Sequence, residues 1–216
     1  MKEYIKKALQ WILGFDNYLF VFSLFTISTL KWKKKENDFL FFLSLLDDEG
    51  IVLDIGANIG IMSVHFARKL RNAIVFAFEP IPHNIRALKK VIAFYKLKNV
   101  QIFETALGDK NGVASMVMPV LNKVKMQGLS HVLHESINDF NEGEEFKTPI
   151  IMLDDIGDIN ESEKKVQAIK MDVENFEYFV LKGGTNLIQK HKPLIYSELW
   201  DNDNRERCFE LMSSLG

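Results

Sequence analysis

Cysteine is almost missing from this chain: Cys208 stands alone among 216 residues. One cysteine cannot build an internal disulfide framework or a cysteine-rich zinc site, and its scarcity fits a reducing compartment, so the cytoplasm is the expected location. Proline, at 5 residues, and glycine, at 12, are too few for a low-complexity chain, and a 47% hydrophobic share supplies a large core. Charge of one sign is missing as well. A formal net charge of −2 offers no basic stripe of the kind nucleic-acid binders carry, so no nucleic-acid partner is expected and a neutral or small molecule is.

A membrane-spanning run is also lacking. Residues 11–30 are rich in Phe, Leu and Ile, but Asp16 interrupts them, and the charge-free remainder, 17–30, falls short of the roughly 20 residues a spanning helix needs. No small-residue cleavage site follows. Residues 1–48 read as a helical N-terminal extension packed on the rest. Lys6, Lys7, Lys31, Lys33, Lys34 and Lys35 flank the apolar stretch, with Trp11 and Trp32 beside it, so a peripheral membrane contact is the alternative. The remaining residues, 49–216, have the length of one domain.

What is present is a rhythm. Residues 38–46 are almost wholly apolar and close on Asp47, Asp48, Glu49 and Gly50, as a buried helix and turn would. Ile51–Ile55 is a short apolar run between glycines, the mark of a strand buried on both faces of a parallel sheet. Ile61, Met62, Val64, Phe66, Ala67 and Leu70 recur near helical spacing, with Arg68, Lys69 and Arg71 where they suit the macrodipole. Strand-like runs follow at 73–78, 100–104, 166–173 and 194–199, and helix-like stretches at 83–98 and 176–191. This alternation implies right-handed βαβ units, and hence an α/β fold: a doubly wound, Rossmann-like, mostly parallel sheet with helices on both faces. Residues 112–149 break the rhythm with β-favouring fragments and a polar stretch from His134 to Lys147, and read as an insertion over the sheet edge.

At the end of the first strand stands Asp54-Ile55-Gly56-Ala57-Asn58-Ile59-Gly60. Gly56 permits a tight turn and close approach to the backbone, Gly60 permits close packing, and the helix that follows offers free N–H groups. The dinucleotide fingerprint would need a glycine at Asn58, and a pyrophosphate gains nothing from a neighbouring Asp54, so NAD is disfavoured. A ligand with a cationic amino-acid end and no phosphates, such as S-adenosylmethionine, would benefit from that carboxylate. Glu79, ending the second strand, is placed to accept hydrogen bonds from both hydroxyls of a ribose.

The runs VLDIGANIGIMSVHFA, FAFEPIPHNIRALKK, ETALGD, AIKMDVENFEYFVLKGG and PLIYSEL together resemble, in order and spacing, the FkbM family of class I methyltransferases over residues 52–199. The resemblance implies S-adenosylmethionine as donor and usually O-methylation of a hydroxyl, often on a sugar, glycolipid or small molecule. It assigns Asp54, Gly56, Asn58 and Gly60 to the methionine end of the cofactor, Glu79 to the ribose, and Asp109, in the segment lying along the adenine, as a further cofactor contact. Two departures stand out. Asn175 replaces the glycine that commonly follows Asp-Val-Glu, which asparagine's tolerance of unusual φ should accommodate. After the fifth strand only residues 201–216 remain, enough for one helix, where such folds normally add two strands, so a truncated form of the expected fold is the reading.

Methyl transfer from a sulfonium is an in-line displacement that requires alignment and exclusion of water, and a hydroxyl acceptor must also lose its proton. Asp172 and Glu174, at the end of the fourth strand, fall on one side if the strand alternation continues. Either could serve as general base or assist a metal, and Glu198, ending the fifth strand, is similarly placed. His131 and His134 could converge on a metal only within a helix; solvent-facing or substrate-orienting roles are expected instead, and no metal is assigned. A nicotinamide oxidoreductase and a non-catalytic Rossmann-like binding or scaffold protein are the competing readings. Successive strand-end carboxylates favour an enzyme.

Overall fold

The computed structural model describes residues 2–121, 124–135, 137 and 139–215. The N-terminal region holds α1 (Lys2–Leu13), α2 (Phe15–Thr29) and α3 (Asn37–Ser44). There follow β1 (Ile51–Ile55), α4 (Ile61–Lys69), β2 (Ile74–Phe78), α5 (Pro82–Tyr95) and β3 (Val100–Phe103). The central part contributes β4 (Ala106–Gly108), β5 (Gly112–Leu121), β6 (Val124–Lys125), β7 (His131–Val132) and β8 (Gly143–Met152). The rest is α6 (Gly157–Asn160), β9 (Val166–Met171), α7 (Glu177–Lys182), α8 (Thr185–His191), β10 (Leu194–Ser197) and α9 (Asp203–Leu215).

The main sheet has the order β10-β9-β1-β2-β3, parallel throughout. Alternation along its strands separates two cores. Ile51, Leu53 and Ile55 point to the side of Phe76, Phe78, Ile169, Met171 and the α7–α8 residues. Val52, Val75 and Ala168 point to the other, where they meet Phe39, Phe42, Leu43, Phe66 and Leu70. Helices therefore cover both faces, as an all-parallel sheet requires. The chain order reverses between β1 and β9, which opens a crevice at their carboxyl ends, the usual ligand position in open α/β sheets.

Two sequence expectations change in the structure. The helix expected over 176–191 is broken at Gly183 and Gly184, because Gly183 lies so close to β4 that a Cβ would come 1.9 Å from the Gly108 carbonyl oxygen. The segment 112–149 is more regular than its polar composition suggests. β5 and β8 pair antiparallel from Gly112–Ile150 to Pro119–Gly143, with β4 on β8 and β6 and β7 on β5. In β8, Glu145, Lys147 and Pro149 face solvent while Thr148 and Ile150 are buried, a period of two that the charged residues mask.

The N-terminal helices join the domain from outside. Leu19 packs with Ile59 and Ala87, and Ile27 with Val64 and Val91. Asp16, the charge that breaks the apolar run, accepts from Arg86 Nε at 2.6 Å and lies 2.5 Å from His83 Nδ1 on α5. Phe39 of α3 is fully buried, edge-on to Phe66 of α4 at 5.3 Å between centroids. Truncation by Phe39→Ala is expected to cost about 3–5 kcal/mol, the range for a buried phenylalanine. Equilibrium urea unfolding checks this; a cost below about 1 kcal/mol would show that α3 does not belong to the cooperative core.

Candidate active site at the carboxyl edge of the sheet

The turn after β1 is fixed by backbone contact before any side chain acts. Gly56 has φ +74°, and a Cβ there would sit 1.9 Å from the Asp172 carbonyl oxygen, so the ends of β1 and β9 touch in a way only glycine allows. The backbone N–H groups of Gly56 and Ala57 both donate to the Phe78 carbonyl, at 3.1 and 2.9 Å. At Gly60, φ +84°, a Cβ would meet Leu88 of α5 at 2.6 Å. The close packing it permits is thus helix against helix rather than helix against strand.

Beneath this turn lies a buried ion pair. Asp54, wholly shielded from solvent, accepts from Ser63 Oγ at 2.5 Å and has Lys170 Nζ 3.4 Å from its other oxygen. Lys170, also buried, donates to the Gly56 carbonyl at 3.0 Å. Burial alone would lower the lysine pKa; the charges of Asp54 and Asp172 outweigh it and raise it. Asp54 therefore supports the loop from below and does not line the cavity above it. Lys170 was not singled out from the sequence, although a lone lysine inside the apolar run of β9 was the available signal.

Glu79, at the end of β2, is nearly buried and already holds three donors: the backbone N–H of Asn58 at 2.8 Å, that of Ile81 at 2.9 Å and Asn84 Nδ2 at 3.1 Å. Burial pushes its carboxyl up to about 7 against the pull of these hydrogen bonds. A carboxylate has about four acceptor positions. In this arrangement one remains, enough for one ribose hydroxyl and not for two.

Asp172 and Glu174 come together by a route other than strand alternation, because β9 stops at Met171 and Glu174 and Asn175 turn sharply at φ +54° and +73°. Asn175 is anchored there: its side-chain oxygen accepts from Asn202 at 2.9 Å and its backbone carbonyl from Asn204 at 3.2 Å. Burial, with the charges of Asp172, Glu177 and Glu198, pushes Glu174 up to about 8. Glu177, pushed to about 7 chiefly by burial, accepts from the Val173 N–H at 3.0 Å.

A cavity of about 580 Å³, mouth included, brings Gly56, Asn58, Glu79, Asp172 and Glu174 together with residues from the second sheet. Asp54 and Gly60 lie outside its lining. Glu198 does too; its side chain is exposed, and its backbone N–H bonds the Met171 carbonyl at 3.4 Å. Asp109 faces a neighbouring cavity and pairs with Lys182 at 2.8 Å, while Ala106 and Leu107 from the same segment do line the main one.

Four buried polar atoms in this lining have no hydrogen-bond partner among the described residues: Asn58 Oδ1, Asn84 Oδ1, Gln127 Oε1 and Ser130 Oγ. Such atoms are rare and call for an explanation. Asn84, Gln127 and Ser130 were not legible beforehand, since Asn84 lies inside a helix and the other two in an irregular turn. Of the central histidines, His131 is buried rather than solvent-facing, with its ring nitrogens 2.9 Å from the Leu129 carbonyl and from Asn141 Oδ1. The His134 ring lies tilted against Phe179, with centroids 4.5 Å apart. Neither lies in a helix, because 131–132 is a strand.

A parallel sheet with its cavity at the order reversal, closed by a glycine turn and a strand-end glutamate, defines a Rossmann-like domain of the methyltransferase class. Residues 54–213 match the methyltransferase FkbM domain, and the chain belongs to that family. It is 25% identical over 150 residues to Methyltransferase 1 of Beauveria bassiana (strain ARSEF 2860), a match covering 63% of this chain and 59% of that protein. Its fold is similar to that of the crystal structure of methyltransferase FkbM from Methylobacillus flagellatus KT, with TM-score 0.54 and 19% identity over 79% of this chain and 39% of that one. The chain thus spans less than two thirds of the length of these relatives.

Two outcomes follow from the charges. Lys170→Met leaves Asp54 buried without its cation and is expected to cost about 3–5 kcal/mol, whereas Asp54→Asn with Lys170→Met is expected to recover most of that loss. A double-mutant cycle by chemical denaturation checks this, and additive losses would contradict the pairing. Glu174 keeps its proton in the folded state up to about pH 8, while the unfolded carboxyl loses it near 4.5, so the folded state binds more protons and stability falls as pH rises through this window. Melting temperature is expected to drop between those limits, and less so in Glu174→Gln. An equal pH slope in both proteins would overturn the assignment.

Proposed function

We propose that this chain transfers the methyl group of S-adenosylmethionine to a hydroxyl on a sugar, glycolipid or other small acceptor. The observation that carries the reading is that one cavity is lined by Asn58, Glu79 and Asn84 together with Asp172 and Glu174. The residues present fit the cofactor. Glu79 and the unpartnered Asn84 Oδ1 are acceptors for the two ribose hydroxyls, Asn58 Oδ1 is an acceptor for the ammonium end, and Ala106 and Leu107 offer an apolar wall to the base. When bound, the cofactor supplies a sulfonium-activated methyl group.

On the acceptor side, Gln127 Oε1 and Ser130 Oγ are free to bond hydroxyl groups, which supports a polyhydroxylated acceptor over an apolar one. As the acceptor hydroxyl takes up the methyl group that the bound cofactor would supply, its proton would pass to the Asp172–Glu174 pair. At neutral pH this pair retains a proton, because the Asp172 charge helps to raise Glu174. One carboxyl can then accept the proton while the other donates a hydrogen bond.

Calorimetric titration with S-adenosylhomocysteine, with NAD as control, tests the cofactor half. Binding of the first alone is expected. Glu79→Ala should weaken it about tenfold or more, given the hydrogen bonds lost to a charged group. Asp172→Asn should bind within about threefold of the parent yet lose about 10²–10⁴ in turnover, the usual range for a positioned base. Equal loss of binding in both variants would defeat this division of roles.

A further inference from the structure

We infer that the N-terminal helices dock on an anionic membrane surface. In α1 the stripe Ile5, Leu9 and Ile12 recurs at helical spacing and is 40–68% exposed. The other side of the helix meets the protein through polar groups: Lys6 Nζ lies 3.5 Å from Met126 Sδ, and Gln10 Nε2 donates to the Lys125 carbonyl at 3.3 Å. α1 thus meets the protein through Lys6, Gln10 and Leu13 and leaves its main apolar stripe outward, the reverse of a helix packed on a protein in water. α2 is apolar on both sides, burying Tyr18, Leu19 and Ile27 against the domain and presenting Val21, Phe22 and Phe25 outward.

The apolar exposure is local. Among the described residues, 8 of the 17 exposed large hydrophobic side chains fall within residues 1–35, more than the ordinary scatter of surface leucines would place there. Trp11, 86% exposed, and Trp32, 71% exposed, belong to the same N-terminal segment, and the Lys31 ammonium sits 5.1 Å from the Trp32 ring centroid, a combination suited to the lipid headgroup region.

Charge selects the occupant. Residues 1–35 carry seven lysines against Glu3 and Asp16, a net +5 in a chain whose total is −2. A second copy would bring like charge to like charge, whereas anionic headgroups complement both the lysines and the apolar stripe. Among the described residues no helix is long and apolar enough to cross a membrane, so the helices lie on the surface. This inference is independent of the reaction in the cavity.

Flotation of the full chain with vesicles of phosphatidylcholine alone, or mixed equally with phosphatidylglycerol, tests it. Binding to the mixed vesicles should be about tenfold tighter or more and should weaken as salt rises. Ile12→Glu with Phe25→Glu should abolish it, and Lys31→Ala with Lys34→Ala and Lys35→Ala should lower it about tenfold or more. The unaltered chain decides the question even where a variant folds poorly. Absence of the protein from both vesicle fractions would overturn the inference, as would loss of self-association, without lipid binding, in the Ile12 and Phe25 variant.

Discussion

An ammonium group that water cannot reach must find negative charge and lone pairs within the fold, and Lys170 in β9 finds them in Asp54 of β1 and the Gly56 carbonyl. These contacts cross the boundary where the strand order reverses, so the cation joins the two halves of the sheet at the point where the crevice opens. The Asp172 carbonyl lies against Gly56 from the same side. The turn that floors the cavity is thereby held by a charge, a hydrogen bond and a steric contact. Replacing such a pair by apolar residues is often tolerated, and breaking it is not.

The same positive charge shapes the chemistry above it. Lys170 feels the charges of Asp54, Asp172 and Glu79, and it draws the Glu79 carboxyl down against the burial that raises it. Glu174, where burial and neighbouring acids dominate, holds its proton to about pH 8. A site with one compensated carboxylate and one retained proton can both accept and donate hydrogen bonds at neutral pH. That capacity is what an oxygen acceptor needs as its proton departs.

Much of this fold was legible because its signals are local. A short apolar run between glycines can hardly be other than a buried strand, and the five runs at 51–55, 73–78, 100–104, 166–173 and 194–199 all became parallel strands. The second sheet was less legible because the two-residue alternation of β8 is carried by Glu, Lys and Thr rather than by apolar residues. The break between α7 and α8 was hidden because it depends on a backbone contact between Gly183 and Gly108, 75 positions apart in the chain.

Site residues divided along the same line. Gly56, Asn58, Glu79, Asp172 and Glu174 reach the cavity because each ends a strand or begins a turn at the same edge. Asp54 points into the layer beneath, since its place within β1 commits it to the interior. Asn84 emerges only when α5 is laid against the end of β2, and Gln127 and Ser130 only when the second sheet is laid against the first, which no spacing in one sequence reveals. The most direct test of the whole account is a crystal structure of the protein with S-adenosylhomocysteine. Ribose on Glu79 and Asn84, with sulfur directed toward Asp172 and Glu174, is the predicted result; ligand bound elsewhere, or with its ribose away from Glu79, would contradict it.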